Sequence, residues 1–416
     1  MEEYKLTALD NGIKVVTENV PGAKSFALGF WFQAGTRNEP AGLNGIAHFV
    51  EHMIFKGTEN RSAKKITFEI ESLGGYLNAF TAKEYTCFYA HGTAGNFEKT
   101  FEVLSDIIQN PVFREEDIKR EKQVVCDEIY DSHDSPEDLI FDEFESLIFK
   151  DSSLELPILG KVETVMNFKR DDLFKFIEKN YGANNLIVSF CGNLRHEKIV
   201  EMVDKFFNGF RKVDLRKPGQ FAHYQPQKIH IRKEINQSHL ILGSYLDGYR
   251  SKNRILARLF SVILGEGSGS RLFQSLREEN GIAYQVNSFL NSYMEISAFG
   301  IYLSTNGKKL PFAVDLIYKE IDNLTDKKIT TAELQRAKEY LKGSYILSLE
   351  SFPNRMQKLA HSLHYYGEIK MPEEIIKDIE SVTADMLYGY MDNLSLANNF
   401  STVIVNKDIK TLQNVA

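Results

Sequence analysis

The sequence predicts an α+β protein of two homologous domains, and three observations carry that prediction. Strand-like and amphipathic helix-like segments mix along the first half of the chain. The second half repeats their order with local identities that line up at small drifts in offset: Gly57 with Gly265, Asp117-x-x-Arg120-x-Lys122 with Glu333-x-x-Arg336-x-Lys338, and Ala183-Asn184-Asn185 with Ala397-Asn398-Asn399. A polar, Pro-containing stretch joins the halves, so the domains are read as 1–212 and 229–416 around a linker at 213–228.

Taken in order, Gly12-Ile-Lys-Val-Val-Thr17 and Ser25-Phe-Ala-Leu-Gly-Phe-Trp-Phe32 are β-branched and aromatic runs that read as strands. A helix carrying His48 follows, then a second near Lys64–Leu73 and an alternating hairpin from Tyr76 to His91. Helical periodicity returns near Asn96–Asn110, Glu115–Tyr130, Pro136–Phe149 and Arg170–Tyr181, ahead of a strand at Asn185–Phe190. If the repeat holds its register, Leu256, Leu259 and Phe260 stand in the second half where His48, Glu51 and His52 stand in the first.

Composition bounds the class. The 416 residues are 43% hydrophobic and 26% charged, an ordinary globular balance with room for two or three cores. No apolar run reaches the ~18 residues of a membrane span, and the first residues have neither signal-peptide nor transit-peptide character. A soluble protein without membrane association is expected. Cys87, Cys126 and Cys191 are odd in number, widely spaced and set among apolar residues, which points to buried thiols in the cytoplasm. A net charge of -7 argues against nucleic-acid binding and suits basic peptide partners.

The chemistry concentrates at His48-x-x-Glu51-His52. At about 100° per residue, positions 48 and 52 lie roughly 40° apart and position 51 within about 60° of 48. Two imidazoles and a carboxylate on one helix side suit a zinc site with its own base, in the inverted order of the His-Glu-x-x-His signature. The same spacing also suits a half-buried histidine pair beside a solvated glutamate, so a third ligand decides. Glu121 and Glu128, seven apart on a later helix, lie two turns apart on nearly one face. A catalytic zinc takes three protein ligands and leaves its fourth position open, and on spacing alone either glutamate could complete the set.

With that later glutamate, the pattern resembles the pitrilysin family of zinc peptidases, in its processing-peptidase-like branch, over nearly the whole chain. The resemblance matches the Arg120-Glu121 to Glu128-Ile129 helix and implies one zinc ion per chain held by His48, His52 and Glu128, with Glu121 orienting a histidine ligand. Glu51 is then the base that takes a proton from water and passes it to the leaving amine. Ser270 to Tyr284 resembles the family's Arg and Tyr pair, so Arg277 and Tyr284 are expected to hold the substrate carbonyl, with Gly281 ending the helix between them. Tyr76-Leu-Asn78-Ala79-Phe80-Thr81 resembles the edge strand to which an extended peptide adds, making Asn78, Ala79 and Phe80 the substrate contacts.

The family architecture implies, for each domain, a mainly antiparallel sheet packed with helices, the two forming half of a clamshell chamber. A homodimer is then expected to enclose unfolded peptide substrates, a heterodimer with a related inactive subunit being the other arrangement. Some relatives are non-catalytic scaffold subunits, but those lose ligands or the base, and this chain keeps them. Glycine-rich Gly265 to Gly269 lacks a phosphate-loop lysine and reads as a flexible connection, and His361 and His364 as helix-surface residues. Glu155 stands where relatives commonly carry glycine, which puts the shape of that loop in doubt.

Overall fold

A computed structural model describes residues 3–214, 224–326, 329–394 and 399–407. The first half runs β1 (Glu3–Ala8), β2 (Lys14–Asn19), β3 (Ser25–Phe32), α1 (Ile46–Ile54), α2 (Ala63–Ser72), β4 (Tyr76–Thr81), β5 (Thr86–Thr93), α3 (Phe97–Gln109) and α4 (Glu115–Asp134). It continues through α5 (Pro136–Ile148), α6 (Val162–Asn167), α7 (Arg170–Asn180), β6 (Leu186–Gly192) and α8 (His196–Phe207). The second half contains β7 (Lys228–Arg232), β8 (Ser238–Asp247), α9 (Arg254–Gly265), a π-helical turn at Phe273–Glu279, β9 (Ala283–Ser292) and β10 (Ile296–Thr305). Then come α10 (Leu310–Asp326), α11 (Thr331–Ser348), α12 (Phe352–Tyr366), α13 (Pro372–Ser381), α14 (Ala384–Leu394) and β11 (Ser401–Asn406).

The duplication is visible in the sheets. One has the order β1-β2-β6-β3-β5-β4, the other β7-β11-β8-β10-β9. Without β1, both show the same pattern: a parallel pair at one end (β2 with β6, β7 with β11), antiparallel pairing elsewhere. Each sheet is therefore mainly antiparallel, as expected. The central strands are apolar on both faces because both are covered. Leu28, Phe30, Phe32, Phe88 and Val188 pack with α1, α3, α7 and α8, while Ala27, Trp31, Cys87 and Ile187 face the other way.

What covers that other face was not expected. The compact units are not the contiguous halves: one comprises Met1–Asp131, Leu156–Gly219 and Ser348–Ile369, the other Ser132–Glu155, Gln220–Leu347 and Lys370–Ala416. In the first, α12 from the second half of the sequence lays Met356, Leu359, Ala360 and Leu363 over Trp31 and Ile187. In the second, α5 from the first half lays Ile140, Phe144 and Leu147 over Ile241, Tyr302 and Val403. The two helices are equivalent in the repeat. Each starts at a serine cap beside a proline, with Ser135 accepting from Asp138 N and Ser351 from Asn354 N.

This corrects the reading of His361 and His364 as surface residues. Both lie on the inner side of α12, the His361 ring 5.4 Å from Trp31 and 5.1 Å from Tyr85, and His364 is buried with Nδ1 3.1 Å from the Gln33 amide. Burial lowers the pKa of His361 to about 4. At the start of the glycine-rich segment, Gly265 ends α9 against Ser288, and Ser261 donates to Glu266 at 2.7 Å. Of the expected linker, residues 215–223 lie outside the described residues, Lys228 already belongs to β7, and Val213 is tied to Asn184 by two hydrogen bonds. Ala397 and Asn398 of the repeat also lie outside them. Glu155 closes its own loop, its carboxylate accepting from Asp151 N at 2.8 Å where Asp151 sits at φ +61°.

Candidate metal centre

The helix α1 is short, and its apolar residues Ile46, Ala47, Phe49, Val50, Met53 and Ile54 are all buried. Its entry is tightly set. Gly45 has φ +92°, and a Cβ there would lie 2.7 Å from the Leu159 carbonyl oxygen, so only glycine fits. The Glu39 carboxylate caps the helix from the preceding loop, accepting from Gly45 N at 2.9 Å, Ala47 N at 2.8 Å and Asn44 Nδ2 at 3.0 Å. Burial nonetheless pushes its pKa up to about 7.

His48, Glu51 and His52 emerge on the side of α1 that meets α4 and β4. The two imidazole Nε2 atoms lie 3.1 Å apart, and Glu128 Oε2 of α4 lies 3.8 Å from that of His48 and 3.6 Å from that of His52. Ligand atoms about 2.0–2.1 Å from a tetrahedral zinc are about 3.3 Å from one another, so these spacings fit a single ion with small adjustment. Among the described residues this trio alone gathers such donors within 4.8 Å of one another. The Glu128 side chain is 40% exposed, which leaves that side open.

The surroundings act on the two histidines in opposite directions. Burial, with the charge of His52 adding to it, lowers the pKa of His48 to about 3, so this ring is neutral at physiological pH. For His52 burial acts downward, but the hydrogen bond to Glu121 and the charges of Glu128, Glu121 and Glu51 outweigh it and raise the pKa. His52 Nδ1 donates to Glu121 Oε1 at 2.9 Å, which leaves the Nε2 lone pair of the neutral ring facing the trio. Lys56 Nζ holds the other Glu121 oxygen at 2.6 Å. Burial would raise the Glu121 pKa, yet the bonds from His52 and Lys56 hold it below the ordinary carboxylate range. His48 Nδ1 is buried without a hydrogen-bond partner.

Glu51 is only 9% exposed, and burial raises its pKa against the opposing bond from Thr81, whose Oγ1 donates to Glu51 Oε2 at 2.5 Å. β4 is the outer strand of its sheet. Alternation along it puts Ala79 in the core beside α1, whereas the Phe80 ring turns to the other face and packs 5.5 Å from Trp31. Phe80 is therefore not on the metal side. Asn78 is exposed, its side chain bonded to Tyr76 Oη at 2.8 Å and to Ala79 N at 2.9 Å.

In the second unit, Gly281 at φ +58° ends the π-helical turn and brings Arg277 to Tyr284. Arg277 Nη1 donates to the Tyr284 carbonyl at 2.8 Å, and its guanidinium lies 5.6 Å from the Tyr284 ring, which is 75% exposed. The positions matching the histidines, Leu256 and Phe260, are buried apolar residues of α9. Sequence reasoning missed Glu39, Lys56 and Thr81. Lys56 follows His52 by four residues and Thr81 shares a strand face with Ala79, both readable signals. The Glu39 cap depends on a loop path and had none.

Similarity to known proteins extends over both halves of the chain. Residues 14–162 match the family model described as insulinase (peptidase family M16), and residues 167–341 match that of the peptidase M16 inactive domain. A protein of Rickettsia felis named an uncharacterized zinc protease is 35% identical over 98% of this chain and 99% of its own. A Bacillus subtilis protein named the uncharacterized zinc protease YmxG is 34% identical over 91% of this chain and 92% of its own. Among solved structures, a peptidase M16 inactive domain from Pseudomonas fluorescens superposes with a TM-score of 0.90 at 19% identity, covering 98% of both chains. A protease from Helicobacter pylori gives 0.88 at 22% identity over 97% of this chain and 100% of its own, and at such identities the likeness concerns the fold. With both halves matched and relatives this similar over their full length, the chain belongs to the insulinase family of peptidases, family M16.

Proposed function

We propose that this protein is a zinc metalloendopeptidase that hydrolyses unfolded peptides or flexible polypeptide segments. The observation that carries the reading is the convergence of His48, His52 and Glu128 beside a buried Glu51. His48, His52 and Glu128 would hold one zinc ion, with Glu121 and Lys56 fixing the His52 ring. When bound, zinc supplies Lewis acidity, which acidifies water and polarises a peptide carbonyl. Glu51 Oε1 accepts the proton of the attacking water, since Oε2 is engaged by Thr81, and returns it to the leaving amine. Its raised pKa suits that return step near neutral pH.

An extended peptide would add to the free edge of β4, with main-chain bonds giving affinity beside Asn78 and Ala79. Arg277 and Tyr284 are assigned to the substrate carbonyl on the family resemblance, supported by their mutual contact and the exposure of Tyr284. Pairing with a second copy to enclose the substrate rests on that resemblance too, and a sedimentation measurement of mass tests it. Cys87, Cys126 and Cys191, all free and buried, support a cytoplasmic setting, and no helix among the described residues is long and apolar enough to cross a membrane.

The test is metal analysis of the purified chain together with digestion of a diverse peptide mixture, cut sites being read by mass spectrometry. One zinc per chain and cleavage abolished by Glu51→Gln are expected. Zinc-loaded protein that cuts nothing, or a Glu51→Gln variant that cuts as well as the native chain, would refute the reading.

A further inference from the structure

We infer that Thr81 is the positioning residue for the Glu51 base, tying it to the outer strand of the sheet. The inference rests on the peptidase reading above. Thr81 is the last residue of β4, paired with Thr86 across the hairpin, and its hydroxyl donates to Glu51 Oε2 at 2.5 Å. Since Glu51 is 9% exposed, water is a poor substitute for that donor.

The turn that follows makes Thr81 a fixed point. Ala82 N donates to Tyr85 O at 2.8 Å, closing the hairpin, and the loop after β3 grips its outside. There Thr36 N donates to Ala82 O at 3.2 Å and Arg37 N to Lys83 O at 2.8 Å. The Arg37 and Glu84 side chains form a buried ion pair at 2.5 Å, their side chains 8% and 4% exposed. The grip requires glycine at position 35, where a Cβ would sit 2.1 Å from the Ala82 carbonyl oxygen. β-branching restricts χ1 of Thr81, which narrows the directions its hydroxyl can take from this backbone. Glu51 is thus held from two sides, by its helix and by the strand to which substrate would add.

The consequence is a division of labour between the carboxylate oxygens. Oε2 takes the Thr81 hydroxyl bond, the Thr81 backbone N–H adds a second hold on the carboxylate, and Oε1 is the oxygen that the hydroxyl leaves open to take and return a proton. Losing the hydroxyl leaves the carboxylate held from this side by the Thr81 backbone N–H alone, so it gains rotational freedom while the metal ligands and the strand edge are untouched, and the defect belongs in kcat and not in KM.

Thr81→Val keeps the shape of the side chain and the backbone N–H but removes the hydroxyl donor, while Thr81→Ser restores it. With zinc-loaded protein and a peptide found by the digestion above, Thr81→Val should lower kcat about 10- to 100-fold with KM and zinc affinity within about twofold of native. Thr81→Ser should recover kcat to within about threefold. A Thr81→Val variant with native kcat, or one whose loss is not recovered by Thr81→Ser, would overturn the inference, as would a loss accounted for by zinc release. Crystal structures of the native and Thr81→Val proteins give a readout independent of turnover: Glu51 should leave its single rotamer in the variant, and an unchanged Glu51 overturns the proposal. If the native protein cleaves nothing, the peptidase reading fails by itself, and the role of Thr81 in holding Glu51 is still decided by those two structures.

Discussion

Replacing Glu121 by alanine should weaken zinc binding about 10- to 100-fold although Glu121 is not one of the converging ligands. The size follows from the geometry: His52 Nδ1 donates to Glu121 Oε1 at 2.9 Å, the carboxylate is 5% exposed, and Lys56 Nζ sits 2.6 Å from its other oxygen. A hydrogen bond to a charged group in such a place is worth about 1.5–3 kcal/mol, or roughly one to two decades in a dissociation constant. The assay is competition for zinc against a chelator of known affinity, with thermal melting of the metal-free proteins to show that both fold. The pH dependence should change in the opposite sense. Glu121 raises the proton affinity of His52, so in the native protein protons begin to compete with zinc above pH 6.5, the unperturbed histidine value. In Glu121→Ala that competition begins at lower pH, because burial then acts on His52 with less opposing charge. A variant that binds zinc within twofold of native at pH 7.4 would refute the role given to Glu121.

Two further predictions concern the frame around the site. Arg355 of α12 donates from Nε to Glu18 Oε1 at 3.0 Å, and Glu18 is 1% exposed, so Arg355→Met should cost about 3–5 kcal/mol in urea denaturation by stranding a buried carboxylate, and adding Glu18→Gln should recover part of it. For Glu39 the folded pKa of about 7 stands above the ordinary 4.5, so its contribution to stability is complete below pH 4.5 and is lost as pH rises through 7. Denaturation of native and Glu39→Gln proteins from pH 4 to 8 should show the native protein losing on the order of 3 kcal/mol relative to the variant across that window, and parallel curves would contradict it.

How much of this was legible in the sequence depends on how local each signal is. The trio was readable because helix periodicity alone sets His48 beside His52, and Glu121 and Glu128 two turns apart on α4. Choosing between those glutamates needed the family resemblance, since spacing treats them alike. The structure separates them by burial: Glu121 is 5% exposed and bonded to His52 and Lys56, while the Glu128 side chain is 40% exposed beside both Nε2 atoms. The strand was read for substrate contact at Asn78, Ala79 and Phe80, so the Thr81 hydroxyl, on the same face as Ala79, went unassigned.

The exchange of α5 and α12 was not legible, and the reason is physical. Each is an amphipathic helix with a serine cap, and its pattern states only that one face must be buried, not against which sheet. Contiguous domains follow from assuming that a helix packs on the sheet nearest in sequence, which favours short connections. Here the specific partners decide otherwise: Arg355 meets Glu18 on β2, and Glu145 on α5 accepts from Tyr293 Oη at 2.8 Å and from Asn291 at 2.9 Å. A buried charge left in the wrong unit would cost several kcal/mol, whereas Leu, Ile and Phe accept either sheet almost equally. The polar residues scattered through the apolar faces therefore carry the specificity of the exchange, and they are the residues that a hydrophobic pattern leaves out.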